Sequence, residues 1–156
     1  MKIGRSTRSL VILSTLVAVA AAGCATGSKM SPAGSVAERQ RLMKLNGASW
    51  QDVQAKVKAG NIEAVAVNAE TMAVTARHIP SLFPEGSMTA ESKAKPEIWQ
   101  KWAEFEQAAK AMQMEAEKLR DAARAKNQAQ VEAIVKDFGR NACGACHTPF
   151  RVPPRS

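Results

Sequence analysis

"IWQKWAEFEQAAKAMQMEAEKLRDAA" runs from Ile98 to Ala123. Its apolar positions Ile98, Trp102, Phe105, Ala109, Met112, Ala116, Leu119 and Ala123 are spaced alternately by four and three residues without a break. A 3.5-residue repeat of this kind is the seam of a helix packed nearly parallel or antiparallel to its neighbours. Pro96 suits a first helical turn, where a missing N–H costs nothing, so the helix is expected from Pro96 to about Lys126.

On the C-terminal side, Asn127 with Gln130 three residues later has the form of a capping box. It opens a further helix with Val131, Ile134, Val135, Phe138 and Ala142 inward. On the N-terminal side a loop rich in proline, glycine and serine occupies Pro80 to Lys95. Asn61 is a cap candidate for a helix carrying Ile62, Val65, Ala69, Met72, Ala73 and Ala76, which Pro80 ends. A first helix is expected from Val36 to Ala59, with Ser35 and Glu38 as a capping box and Gly60 as its left-handed terminator. Its apolar stripe is Val36, Met43, Gly47, Trp50, Val53 and Val57. The short connections at Gly60 and Asn127 force antiparallel neighbours. The expected architecture is all-α, an antiparallel four-helix bundle spanning residues 36–156.

The first residues belong to a different problem. Lys2, Arg5 and Arg8 precede an apolar run from Leu10 to Ala22 that ends in small residues, the pattern of a signal peptide over residues 1–23. The run falls short of the roughly 20 apolar residues of a membrane span. "AAGC" (Ala21 to Cys24) resembles a bacterial lipoprotein box in which Cys24 would carry the lipid, although Ala21 stands where leucine is usual. Cleavage after an alanine near Ala22 is the alternative. Residues 24–35 then form a polar, flexible tether. Removing the three basic residues of the leader from 22 leaves 19 against 14 acidic ones, a net charge of +5. Such an excess favours acidic partner surfaces and is too dispersed for a nucleic-acid stripe.

"NACGACHTPFR" (Asn141 to Arg151) carries the chemistry, with Cys143, Cys146 and His147 on the last turns of the fourth helix. Structural zinc wants four protein ligands, and His78 is the only other histidine. A thioredoxin-type pair belongs at a helix N-terminus after a strand, and this chain has no strand pattern. A disulfide between Cys143 and Cys146 would close too small a loop to matter much. C-x-x-C-H is also the attachment signature of haem c: two thiols add to the porphyrin vinyl groups and the adjacent imidazole becomes an axial iron ligand. It is the one reading that uses all three residues, and it agrees with export.

Further stretches add to the motif. "RQRLM" (Arg39 to Met43), "LFPEGS" (Leu82 to Ser87), "AKPEIW" (Ala94 to Trp99) and "CGACHTPFR" together resemble the class II c-type cytochromes, the cytochrome c-prime family. The resemblance covers about Val36 to Arg151. It implies a left-handed antiparallel bundle with one covalent haem c near its end, commonly a periplasmic homodimer. It assigns Cys143 and Cys146 to the thioethers and His147 to the proximal iron position. Arg39 and Gln40 match the pair beside the haem propionates, where a guanidinium can bond a carboxylate. Arg151 matches a basic residue on the proximal side.

Met43 matches the distal position over the iron. As a sixth ligand it would make a low-spin His/Met haem suited to electron transfer. As an apolar lid it would leave a five-coordinate haem open to nitric oxide or carbon monoxide. Both outcomes stand at this point. The expected function is an exported mono-haem one-electron carrier with redox partner proteins, the alternative a gas-binding haem protein. No acid/base pair or nucleophile constellation points to an enzyme. Trp50, Trp99 and Trp102 are expected in packing, Trp99 against the porphyrin, and His78 as a complement to a helix C-terminus. Lys136, Arg140, Arg151 and Arg155 are expected to form a basic collar around the haem seat.

Overall fold

The structure, a computed structural model, describes residues 30–153. The leader, Cys24 and Arg155 therefore lie outside the described residues. Helix α1 spans Pro32–Lys58, α2 Val65–His78, a short α3 Glu97–Gln100, α4 Trp102–Arg124, α5 Gln128–Phe138 and α6 Ala145–Phe150. A π-helical segment, Gly139–Gly144, joins α5 to α6. The four limbs of the bundle are α1, α2, α4 and the continuous run from α5 to α6, each antiparallel to the next, as expected.

The seam of α4 organises the core. Phe105, Ala109, Met112, Ala116, Leu119 and Ala123 are all buried, and α4 packs most extensively against α2. The opposing surface of α2 is narrow, with Ala69, Ala73 and Ala76 around Met72. Alanine at these positions lets two helices approach closely, and the longer Met112 and Leu119 fill the space beside them.

The connections follow backbone chemistry. Gly60 has φ +72°, and its N–H donates to the Val57 carbonyl at 3.0 Å while Asn61 N–H donates to the Lys56 carbonyl at 2.9 Å. This pair of bonds closes a helix only when the residue at Gly60 is left-handed. Lys126 plays the same part after α4 at φ +55°, without the freedom of glycine. At the start of α5 the Asn127 side chain accepts from Gln130 N–H at 3.1 Å, the expected cap.

Helix boundaries differ from expectation at four places. Helix α1 begins at Pro32, because Ser31 caps it through Gly34 N–H (3.1 Å) and Pro32 occupies the first turn. The expected box at Ser35 is not made: Ser35 is buried inside the helix and Glu38 pairs with Arg41. Residues 32–35, expected in the tether, therefore belong to α1. Helix α2 begins at Val65 rather than at Asn61, since residues 62–64 form tight turns that still bury Ile62.

The third expected helix is interrupted at Lys101, where φ −123° and ψ 49° separate α3 from α4. Tertiary contacts explain the break: Trp99 Nε1 donates to the Phe83 carbonyl at 3.1 Å, and Phe83 packs edge-on against Phe105 at 4.8 Å. An unbroken helix would carry Trp99 away from that partner. The fourth expected helix is likewise not uniform, because the π-helical segment inserts a wide turn before the Cys pair.

Leu119 has no solvent exposure. Truncation of such a side chain leaves a cavity, so Leu119→Ala should destabilise the fold by about 2–5 kcal/mol, read as a lower urea midpoint with an unchanged m value.

Candidate functional site

A cavity of about 510 Å³ opens between α1 and the segment from the π-helical turn to α6. That volume lies in the ordinary range of about 300–1,000 Å³ for sites that enclose a small organic ligand or cofactor. The walls are set by helical repeat. On α1, Val36, Arg39, Met43, Asn46 and Trp50 follow spacings of three and four and present one face to it. Across the space lie Ala142, Cys143, Cys146 and His147, and α1 makes no direct backbone contact with α6.

The π-helical turn matters for this arrangement. Its extra residue per turn changes the register between α5, which buries Val131 and Phe138 in the core, and the Cys pair, which lines the cavity. Phe138 stacks with ring centroids 4.8 Å apart on Trp50, which itself lines the cavity. At the mouth, the chain after α6 is tied to the loop before α3. Lys95 N–H donates to the Phe150 carbonyl at 2.9 Å, and Val152 N–H donates to the Lys93 carbonyl at 2.8 Å. Arg151 lines the cavity between those two bonds.

Cys143 and Cys146 are both free and half-buried. Burial pushes the Cys143 thiol up, and burial plus the neighbouring Cys143 pushes Cys146 up to about 11. Both are neutral thiols at pH 7, whereas a redox pair or a metal site calls for a stabilised thiolate. Desolvation by its surroundings, with Arg151 nearby, holds the His147 imidazole below the ordinary histidine value. The neutral imidazole is the form that can bind a metal.

Arg39 is the buried cation of the site. Its guanidinium donates to Ser87 Oγ at 3.2 Å and to the Ser87 carbonyl at 2.6 Å, and lies 4.3 Å over the Phe83 ring. Burial draws its pKa below the usual arginine value. Among the described residues it has no ion-pair partner, and no aspartate or glutamate lines the cavity. A buried cation without a counter-charge is costly, so the cavity favours an anionic guest. Gln40 lines the cavity at its rim and donates to the Glu91 carbonyl at 3.3 Å.

Met43 is half-buried on the α1 wall. Several expectations need revision. The cations at the rim are Lys44, Lys93 and Arg151, whereas Lys136 does not line the cavity and Arg140 pairs with Asp137 at 2.6 Å. Trp50 lines the cavity; Trp99 does not, because its indole is held by the Phe83 carbonyl. His78 is exposed at the end of α2, away from the cavity. The sequence reading missed Asn46, Ser87, Lys44 and Lys93. Asn46 alone carried a signal: it continues the repeat Val36, Arg39, Met43 as a polar residue in a stripe otherwise turned inward.

The family profile described as Cytochrome C' matches residues 35–151. The chain belongs to this family. It is 34% identical over 123 residues to cytochrome c-556 of Agrobacterium tumefaciens, covering 77% of this chain and 98% of the relative. To cytochrome c' of Pararhodospirillum photometricum it is 34% identical over 125 residues, covering 78% of this chain and 98% of the relative. Among solved structures, a nitrosyl complex of a variant of cytochrome c prime from Alcaligenes xylosoxidans superposes with a TM-score of 0.70 at 27% identity, covering 78% of this chain and 98% of that one. Cytochromes c' hold haem c, and the residues present fit it. The cavity has the volume, a buried Arg39 guanidinium with no ion-pair partner among the described residues, and open space over Gly47, where an added Cβ would meet nothing within 4 Å.

Arg39→Leu leaves the Ser87 carbonyl and hydroxyl without their donor, a loss of about 1–3 kcal/mol. Amide hydrogen exchange at Ser87 should accelerate roughly tenfold to a hundredfold, while α4 amides stay protected.

Proposed function

We propose that this protein is an exported, non-enzymatic, mono-haem electron carrier. The observation that carries the reading is that Cys143, Cys146 and His147 line one wall of the cavity and Met43 lines the α1 wall opposite. In this reading Cys143 and Cys146 form the thioethers, His147 is the proximal ligand and Met43 the distal one. When bound, the haem supplies an iron that gains and loses one electron between its ferric and ferrous states. The chain's own residues do the rest: Arg39 and Arg151 would pair with the carboxylates of the bound group, Gln40 holds the loop at Glu91, and apolar walls exclude water.

The unpaired rim cations Lys44, Lys93 and Arg151 support docking of acidic redox partners. Exposed Leu45 on α1 and Val67 on α2 support a homodimer through those helices. We place the protein in the periplasm behind the leader of residues 1–23. No helix among the described residues is long and apolar enough to cross a membrane, and the attachment proposed is lipid on Cys24 of the "AAGC" stretch. Seven residues separate Cys24 from Pro32 and reach at most about 25 Å. Lipid on Cys24 would therefore keep the cavity end of α1 close to the membrane surface.

A second reading has its own support. The Alcaligenes relative is known as a nitrosyl complex, and a Met43 that only packs over the iron would leave an apolar pocket for such a ligand.

Absorption spectra of the haem-loaded protein separate the two. A low-spin reduced spectrum is expected, and in the oxidised protein a methionine-to-iron charge-transfer band that disappears in Met43→Ala; a high-spin reduced spectrum that shifts on adding carbon monoxide sinks the electron-carrier reading. The double variant Cys143→Ser, Cys146→Ser should lose haem from the chain on acid–acetone extraction, and full retention refutes the attachment. The mature protein should carry a diacylglycerol mass on Cys24, whereas a free N-terminus beginning near Gly23 excludes the tether.

A further inference from the structure

Asn46 is only 7% exposed and lines the cavity, one helical turn beyond Met43 on the same face of α1. Its Oδ1 lies 2.5 Å from the Thr75 hydroxyl, closer than the Thr71 and Met72 carbonyls at 2.9 and 3.0 Å that compete for the same proton, and a separation suited to O–H···O rather than to N–H···O. Thr75 sits on α2, so the amide is held from behind with its oxygen turned toward that helix. Its Nδ2 is buried and has no partner. Of the other buried positions on α1, Leu42 and Val53 are apolar while Arg39 and Ser49 are polar, and leucine would match asparagine in shape at position 46. A buried amide donor without a partner is expensive where an apolar side chain would serve, so its presence calls for an acceptor within the cavity.

The residues lining the cavity offer no carboxylate, and Oδ1 is already engaged. A methionine sulfur bound to iron retains one lone pair that can accept a hydrogen bond, and Met43 lies three residues from Asn46. We infer that Asn46 is the positioning residue of the distal side, its Nδ2 donating to the Met43 sulfur when that sulfur is the iron ligand. The inference rests on the proposed ligation by Met43. Its consequence is electronic. A donor on the sulfur withdraws electron density from the ligand, favours the ferrous iron, and so raises the reduction potential. It also fixes which way the methionine methyl group points.

In the reduced, haem-loaded protein, NMR should show the Asn46 amide protons exchanging slowly and giving a nuclear Overhauser contact to the Met43 methyl group. This measurement needs no variant to fold. Asn46→Leu should keep the haem and the low-spin spectrum while lowering the reduction potential and shifting the methionine-to-iron charge-transfer band. Met43→Ala reports on the reading beneath: if it leaves the spectrum unchanged, Met43 is no ligand and both statements fall. If Met43→Ala abolishes the band but Asn46→Leu moves neither band nor potential, the inference alone is overturned. Asn46 protons in rapid exchange, or in contact with a bound water or gas rather than with Met43, overturn it as well.

Discussion

The close packing of α4 on α2 is the contact on which everything else in the bundle rests. Alanines on α2 let the two axes approach, and the 3.5-residue seam of α4 keeps the same face inward over six turns. With this pair as a rigid wall, α1 and the α5–α6 limb are free to diverge at one end. The cavity lies in that divergence, so it is a product of unequal packing rather than a hole cut in a uniform core. Burial is tight along α2 and α4 and loose between α1 and α6, where side chains chosen for chemistry take the place of side chains chosen for volume.

Electrostatics then select what enters. Arg39 is pinned by Ser87 and Phe83 and has no acidic partner, and the exposed rim adds three further cations. An interior of neutral thiols and apolar side chains with cations at its edge suits a flat apolar molecule that carries its negative charge at one side. Arg39 also serves the fold before any guest arrives, because its fork holds the loop that carries Phe83. Fold and site thus share a residue, and a change there acts on both.

Much of this was legible in the residues. The alternating spacing from Ile98 to Ala123 announced the helix and its buried face, Gly60 announced a left-handed terminus, and "CGACH" announced the cofactor class of the family. What was hidden depended on distant partners. Ser31 and Ser35 are both good caps, and only Pro32 separates them. Nothing local at Lys101 signals a break, since the cause is the Phe83 carbonyl waiting for the Trp99 indole. The π-helical turn has no residue signature before "CGACH". Asn46 was visible as a polar intruder in an inward stripe, but its meaning required Thr75 behind it and an empty space ahead.

The clasp between residues 93–95 and 150–152 ties the chain after α6 to the loop before α3. Arg151 lies between its two bonds and also lines the cavity, so the backbone that follows the motif is fastened by the loop before α3. The wall carrying Cys143, Cys146 and His147 is thus held by residues from another part of the chain. A change that loosens residues 93–95 would act on that wall without touching any of the three.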